Sequence, residues 1–342
     1  MITQFENLAA QIMRGQALSQ EQAAGLLALL PNNLLDLCAL ARLSFGFAAS
    51  AQATALPGVS GLSGTSDNPA PFTCGIINAK SGRCAENCAF CAQSKHHATT
   101  APIYPLVSEK KLRERAGQLA EAGVNYLGIV ISGTTPSDRD LDNICAAAAR
   151  ISAEGGIKLC ASLGLLGAEQ ARRLKQAGFT SYHHNLETAP SFYPEICGTH
   201  GIEPRLQTVR NAVAAGLRVC CGGIFGLGES WAQRLELSAL LQDLEVHSIP
   251  VNFLTPIPGT PLADRGCLPP QEALAVVALL RLMHPGRDIV ICGGRSRTLG
   301  EWENMLFAAG ANGLMVGDYL TTPGGLLAKD LAMLETLGLR HV

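Results

Sequence analysis

The sequence predicts an α/β protein, a (β/α)8 TIM-type barrel preceded by a helical N-terminal extension. Three observations carry this prediction. From residue 72 onward, eight apolar runs of strand length alternate with amphipathic stretches of helix length. The chain has 342 residues, 47% of them hydrophobic, enough for one large barrel core. No Gly-x-Gly-x-x-Gly follows the first strand, where the competing doubly wound sheet would carry its dinucleotide fingerprint.

Residues 1–71 read as a helical extension and linker, and residues 72–342 as the barrel with a C-terminal helix. Ser19, with Gln22 three residues later, forms a capping-box pattern that opens a helix over 21–30, and Pro31 closes it. Asn33 is placed to cap the next helix, whose broad apolar face carries Leu34, Leu35, Leu37, Leu40 and Leu43. Residues 48–71 are small, polar and dotted with Gly and Pro, which reads as a loop or linker. Strands follow over 72–79, 125–132, 157–162, 180–186, 218–223, 248–254, 288–292 and 313–316. Helices fall between them. The one over 108–122 has Ser108 as cap and Gly123 as stop, while those over 168–177 and 204–215 stop at Gly178 and Gly216.

Composition excludes several roles. A net charge of −2 without a basic tract argues against nucleic acid as a partner, because phosphate binding needs clustered Lys and Arg. Twelve cysteines in so long a chain do not suit a small disulfide scaffold. The first residues lack a basic segment followed by an apolar one, and no apolar run reaches the ~18 residues of a membrane span. The expectation is a cytoplasmic protein with reduced thiols.

The chemistry centres on Cys84-Ala-Glu-Asn-Cys88-Ala-Phe-Cys91, in the loop after the first strand. Thiolates are soft ligands that suit Fe–S clusters, Zn or Cu(I). Each iron of a 4Fe–4S cube takes one outer ligand, so three cysteines leave one iron open to a cofactor. A closed Zn site needs a fourth ligand, which His96 or His97 is placed to supply. Chance clustering of buried thiols is the remaining reading. In a barrel, chemistry gathers at the C-terminal ends of the strands. This loop lies there, together with Ser132-Gly-Thr134, His183-His-Asn-Leu-Glu187, Asn252 and Arg295. The Gly-rich run Gly222 to Gly228 is weak evidence on its own.

A three-cysteine loop so placed resembles the signature of radical S-adenosylmethionine (SAM) enzymes. Asn78-Ala-Lys-Ser-Gly-Arg-Cys84 and Cys91-Ala-Gln-Ser94 are similar to the biotin synthase family within that group. So are His184-Asn-Leu-Glu-Thr188, Gly222-Gly-Ile-Phe-Gly-Leu-Gly-Glu229, Gly259-Thr-Pro-Leu262 and Leu320-Thr-Thr-Pro323. The likeness runs from about Phe72 to the C-terminus. It implies a 4Fe–4S cluster on Cys84, Cys88 and Cys91, with SAM on the open iron. It also implies hydrogen abstraction from dethiobiotin and sulfur insertion from a second cluster deeper in the barrel. Asn185 and Glu187 match residues that contact SAM at its ribose, and Arg205 matches an arginine suited to the SAM carboxylate. His183 stands where the family has an asparagine near the substrate, and Asn252 matches a residue near the substrate ring. Arg295 also occurs in the family, as an anion contact or as half of an ion pair. The resemblance further implies an electron donor such as flavodoxin or ferredoxin, and often a homodimer.

The sequence departs from that family where sulfur is supplied. The usual 2Fe–2S site uses three cysteines and one arginine on barrel strands. Cys160 and Cys220 remain, but Gly128 and Val290 occupy the other two positions. Cys74 and Cys292 are new. Residues 290 and 292 share a strand face, so Cys292 points inward if the family's arginine does. Cys74, Cys160, Cys220 and Cys292 are therefore expected to hold an auxiliary Fe–S cluster, of 2Fe–2S or four-iron type, with Cys221 as an alternative fourth ligand and buried core thiols as the alternative to any cluster. Cys38, Cys145, Cys197 and Cys267 read as structural. Two other functions stay open on these residues: another radical SAM enzyme of the same subgroup (a cofactor maturase or a mutase), and a non-catalytic zinc-binding protein.

Overall fold

The computed structural model describes residues 2–28, 33–55, 71–318 and 326–339. Three helices come first: α1 (Ile2–Met13), α2 (Gln20–Leu27) and α3 (Leu34–Ala55). The barrel then runs β1 (Phe72–Lys80), α4 (Glu109–Glu121), β2 (Tyr126–Ile131), α5 (Asp138–Glu154), β3 (Lys158–Ser162), α6 (Ala168–Gln176), β4 (Phe179–His183), α7 (Tyr193–Ile196), α8 (Glu203–Ala214), β5 (Arg218–Cys220) and β6 (Gly223–Phe225). It continues α9 (Trp231–Asp243), β7 (Ser248–Phe253), α10 (Pro270–Met283), β8 (Asp288–Ile291), α11 (Arg295–Leu299), α12 (Met305–Ala308), β9 (Gly313–Met315) and α13 (Leu327–Thr336).

All strand pairings are parallel, in the order β5-β4-β3-β2-β1-β9-β8-β7-β6, and a further pairing of β5 with β7 closes the ring. β5 and β6 are two pieces of one stave, so the barrel has the eight staves expected of the fold. The sequence predicted a single strand over 218–223. It breaks at Cys221-Gly222 because the backbone there is pressed against β7: a Cβ on Gly222 would lie 2.2 Å from the Pro250 carbonyl oxygen.

Strand alternation is unusual for a barrel core. On β1, the buried Thr73, Gly75, Ile77 and Ala79 face outward, whereas the half-buried Phe72, Cys74 and Ile76 line a central cavity. The same period of two puts Cys160 and Ser162 of β3, and Arg218 and Cys220 of β5, on the cavity side. TIM-type barrels normally fill this space with branched side chains. Here it holds a cavity of about 410 Å³.

The extension packs on the barrel's outer helices. Ser19 caps α2 with both bonds of the capping box, Gln22 N–H to Ser19 Oγ (3.2 Å) and Ser19 N–H to Gln22 Oε1 (2.8 Å). Leu18 N–H donates to Leu282 O at 2.9 Å, and Ile12, Leu18, Leu26, Leu37 and Ala41 join the same buried core as the barrel. α3 reaches Ala55, so residues 48–55, read as linker, are helical. That stretch is rich in alanine, the strongest helix former. Pro31 and residues 56–70 of the expected linker lie outside the described residues.

Arg281 of α10 is fully buried and locks this side. It donates to the carbonyls of Gly310 (2.7 Å), His284 (3.1 Å), Pro285 (3.0 Å) and Arg287 (2.7 Å) and to Asn312 Oδ1 (2.8 Å). Its guanidinium also sits 4.5 Å from the Phe45 ring of α3. Replacing Arg281 with Met strands these acceptors and lowers unfolding stability by about 3 kcal/mol. Urea unfolding of the cluster-free chain, followed by far-UV circular dichroism, measures this, and Arg281→Lys recovers less than half because an ammonium lacks the planar fork.

Candidate functional site

The cysteine loop leaves β1 through Arg83, whose φ of +55° turns the chain sharply before Cys84. The loop is stitched to itself by Cys84 N–H to Gln93 O (3.0 Å), Lys95 N–H to Cys84 O (2.8 Å) and Ser94 Oγ–H to Glu86 O (2.6 Å). It is also stitched to the segment after β4, by Ala89 N–H to Ile196 O (2.8 Å) and Gly198 N–H to Asn87 Oδ1 (2.9 Å). Held this way, Cys84, Cys88 and Cys91 all open onto the cavity. Burial raises the Cys88 thiol strongly and pushes Cys91 up to about 11. Thiols so raised stay protonated at neutral pH until a metal displaces the proton. His96 and His97 do not join them. His96 Nε2 lies 2.8 Å from Ala85 O and His97 Nδ1 2.9 Å from Cys91 O, and neither lines the cavity. Neither histidine is therefore placed as the fourth ligand of a closed zinc site.

Across the cavity stands the end of β4. Glu187 adopts φ +70°, uncommon for a residue with a side chain and a mark of functional sites. Its main chain is fixed by Ile224 N–H donating to Glu187 O at 2.8 Å. Gly223 allows this approach, since a Cβ there would lie 2.6 Å from the same oxygen. Glu187 Oε1 is 3.4 Å from Arg205 Nη1, whereas Oε2 is buried without a hydrogen-bond partner. Burial raises this carboxyl, and Arg205 and Asn185 pull it back. Arg205, on α8, donates from Nε to Tyr193 Oη (2.7 Å) and from Nη1 to Asn185 O (2.8 Å). Although burial opposes its charge, Glu187, Tyr193 and Cys88 together hold the guanidinium charged. These bonds commit two of its three nitrogens to neighbouring protein groups. Asn185 Oδ1 accepts from Gly222 N–H at 3.2 Å.

His183 lines the cavity, and burial lowers it to about 4, so the ring is neutral at pH 7. His184 Nε2 is buried without a partner on the same wall. Asn252 is engaged with backbone: Nδ2 donates to Gly223 O (3.2 Å) and Oδ1 accepts from Gly293 N–H (3.0 Å). Each end of the amide keeps capacity for one more bond toward the cavity it lines. Arg295, fully buried, pairs with Glu303 and with Asp330 Oδ1 (2.5 Å), which settles it as half of an ion pair.

The same cavity is also lined by Cys74, Cys160, Cys220 and Cys292. Burial raises all four thiols, Cys220 to about 11 and the others further. Cys74, Cys220 and Cys292 also repel one another's charge, as do Cys74, Cys160 and Cys220. Cys221 packs into the hydrophobic core and does not line the cavity. Sequence reasoning missed Glu86, Tyr193 and His200, which with Thr134 join the cysteine loop to the walls. Only Glu86 carried a signal, its place inside the cysteine motif. The Leu320-Thr-Thr-Pro323 run lies outside the described residues.

Comparisons with known proteins agree with this geometry. Residues 79–241 match the Radical SAM superfamily model and residues 250–340 the Biotin and Thiamin Synthesis associated domain. A biotin synthase of Nitratidesulfovibrio vulgaris (strain DP4) is 60% identical over 267 residues, covering 78% of this chain and 74% of its own. That of Geobacter sulfurreducens is 53% identical over 267 residues, covering 78% and 81%. This chain belongs to the biotin synthase family. In fold it is similar to methylornithine synthase (PylB), with a TM-score of 0.79 at 18% identity over 98% of this chain and 97% of that one. The hydrogenase maturase HydG of Carboxydothermus hydrogenoformans gives 0.72 at 18% identity, covering 97% and 78%. Those likenesses concern the fold alone. As a biotin synthase family member the chain is a radical SAM sulfurtransferase, working with a 4Fe–4S cluster, SAM and an auxiliary Fe–S cluster. The residues present fit those groups: three thiols on one loop, an unpaired carboxylate oxygen lining the same cavity, and four more thiols from the barrel staves. Among the described residues, no helix is long and apolar enough to cross a membrane.

Gly223→Ala tests the wall opposite the loop. The variant keeps the iron of the three-cysteine site but loses the change that SAM produces in the electron paramagnetic resonance (EPR) spectrum of the reduced cluster, because the added methyl displaces Glu187.

Proposed function

We propose that this chain converts dethiobiotin to biotin in the cytoplasm, with each residue of the cavity in a definite role. The observation that carries the reading is that one cavity is lined by the three thiols of the loop, by Glu187, His183 and Asn252, and by four further thiols from the barrel staves. A 4Fe–4S cluster on Cys84, Cys88 and Cys91 would reduce SAM to supply the hydrogen-abstracting radical, and an auxiliary cluster on Cys74, Cys160, Cys220 and Cys292 would supply the sulfur.

The chain's own residues do the holding. Glu187 Oε2, an acceptor without a donor, suits a ribose hydroxyl. Arg205 favours the charged form of that carboxyl against its burial and fixes its position, and Asn185 orders the turn beside it. Neutral His183 and the spare donor and acceptor of Asn252 suit a ureido ring, which needs both. The electron has to come from outside, from a donor of the flavodoxin or ferredoxin kind, and homodimerisation is carried over from the family as analogy.

Two experiments test this. Anaerobic incubation with SAM, a reductant and dethiobiotin yields 5′-deoxyadenosine and biotin; 5′-deoxyadenosine without biotin would assign the chain to another substrate. Iron and sulfide counting on reconstituted protein gives about eight irons per chain, falling to about four in Cys160→Ala and Cys292→Ala. About four in the parent, unchanged in both variants, removes the auxiliary ligand set.

A further inference from the structure

A continuous chain of hydrogen bonds joins the cysteine loop to Glu187, and the roles above use only its last link, Arg205 to Glu187. It begins at Glu86, between Cys84 and Cys88. Glu86 Oε1 accepts from Thr134 Oγ1 (2.5 Å), and Oε2 accepts from Thr199 Oγ1 and lies 2.7 Å from His200 Nδ1. His200 Nε2 is 2.9 Å from Tyr193 Oη. Tyr193 Oη accepts from Arg205 Nε, and Arg205 Nη1 reaches Glu187 Oε1. One protonation pattern satisfies every bond: Arg205 donates to the phenol, the phenol to His200 Nε2, and His200 Nδ1–H to Glu86. The links are well buried, with Tyr193 2% exposed and the side chains of His200 and Glu86 at 12% and 15%.

The position of this chain gives it a purpose. It spans two loops, one after β1 and one after β4, and its ends are a cluster loop and a carboxylate. A single SAM molecule must meet both ends at once, its amino acid part on the cluster and its ribose on Glu187. The separation of the two loops therefore decides how well SAM binds. We propose that Tyr193 and His200 are positioning residues that set this separation. The proposal rests on the assignment of Cys84, Cys88, Cys91 and Glu187 above. Glu86, Cys197 and His200 also place a carboxylate, a thiol and an imidazole within 4.8 Å of one another, a set that suits zinc. Their atoms already satisfy one another through hydrogen bonds, with Cys197 Sγ 3.3 Å from His200 Nδ1, and this favours the positioning role.

The test uses anaerobically reconstituted protein with both clusters loaded. Tyr193→Phe, His200→Ala and Glu86→Gln are compared with the parent in steady-state SAM cleavage, which gives KM for SAM and kcat, in iron and zinc content, and in the EPR change of the reduced cluster on adding SAM. Each single substitution is expected to raise KM about 10-fold, the loss of one hydrogen bond to a charged network, with kcat within about 3-fold and iron unchanged. His200→Gln, which keeps one donor and one acceptor, recovers part of the loss. The double variant Tyr193→Phe/Glu86→Gln is also raised only about 10-fold, since one break already uncouples the loops. An unchanged KM with a lower melting temperature would overturn the proposal in favour of a purely structural role. A rise of about 100-fold in the double variant would overturn it in favour of independent contacts. Stoichiometric zinc that disappears in His200→Ala would make the triad a metal site instead. A parent protein that cleaves no SAM at all would instead defeat the underlying assignment, whatever the variants do.

Discussion

The period of two along the barrel staves is the constraint on which the rest of this structure depends. A parallel stave has one side for its helices and one for the barrel axis, and a residue's number decides which it meets. On the outer side the chain places its bulk: Thr73, Ile77, Leu159, Ala161 and Val219 are buried almost completely. On the inner side small groups, such as Gly128, Ser162, Ser181 and Ser248, stand among larger ones such as Phe72, Ile76 and Tyr126, and leave open space beside the thiols. A hollow interior forgoes the burial of branched side chains there, at ~1.5–3 kcal/mol each. The outer shell compensates. On α10 every residue from Ala273 to Met283 is buried, and Arg281 among them ties the barrel to α3.

Given that hollow frame, the mouth is ordered by backbone rather than by side-chain bulk. Two residues with side chains hold positive φ at the site, Arg83 before the cysteine loop and Glu187 at the facing wall. Each costs on the order of 1–3 kcal/mol, which the surroundings must offset. For Glu187 they do so through Gly223 and the Ile224 amide, and for the cysteine loop through bonds to the segment 196–198. The two strained turns thus lean on neighbouring staves, and the thiols are aimed before any metal arrives.

Much of this could be read from the sequence, and the exceptions have physical causes. Strand–helix alternation, the Ser19 and Ser108 caps and the glycine stops were legible because each is a local pattern with a local mechanism. The cysteine loop was legible because metal ligands at fixed spacing are rare by chance. The extension of α3 to Ala55 was missed because a run of small residues also marks loops, although alanine favours helix. The break at Cys221-Gly222 was missed because it is set by Pro250 on another strand. Tyr193 and His200 were invisible for the same reason. Tyr193 opens the one-turn helix α7 and His200 lies in the loop after it, and their partners, Arg205 and Glu86, are identified only by the folded geometry.

Stave register also bears on the proposed auxiliary ligands. In a barrel of this kind, the side chains of one interior layer come from alternate staves. Counting β5 and β6 as one, Cys74 is on the first stave, Cys160 on the third, Cys220 on the fifth, and Cys292 directly follows the seventh. Four thiols are thus spread around the whole ring. The usual family arrangement differs in one stave: it would place a ligand at Gly128, on the second, directly paired with Cys160. At that position a Cβ would lie only 3.0 Å from Ile76 Cγ2, so the present interior has closed around a glycine. Moving one thiol from the second stave to the first puts all four on alternate staves, where the usual set has two on directly paired residues. Four separate corners are what a four-iron cluster offers its ligands, whereas a two-iron cluster takes its ligands as a pair on each iron. The spacing of these cysteines therefore favours the four-iron form of the proposed auxiliary cluster.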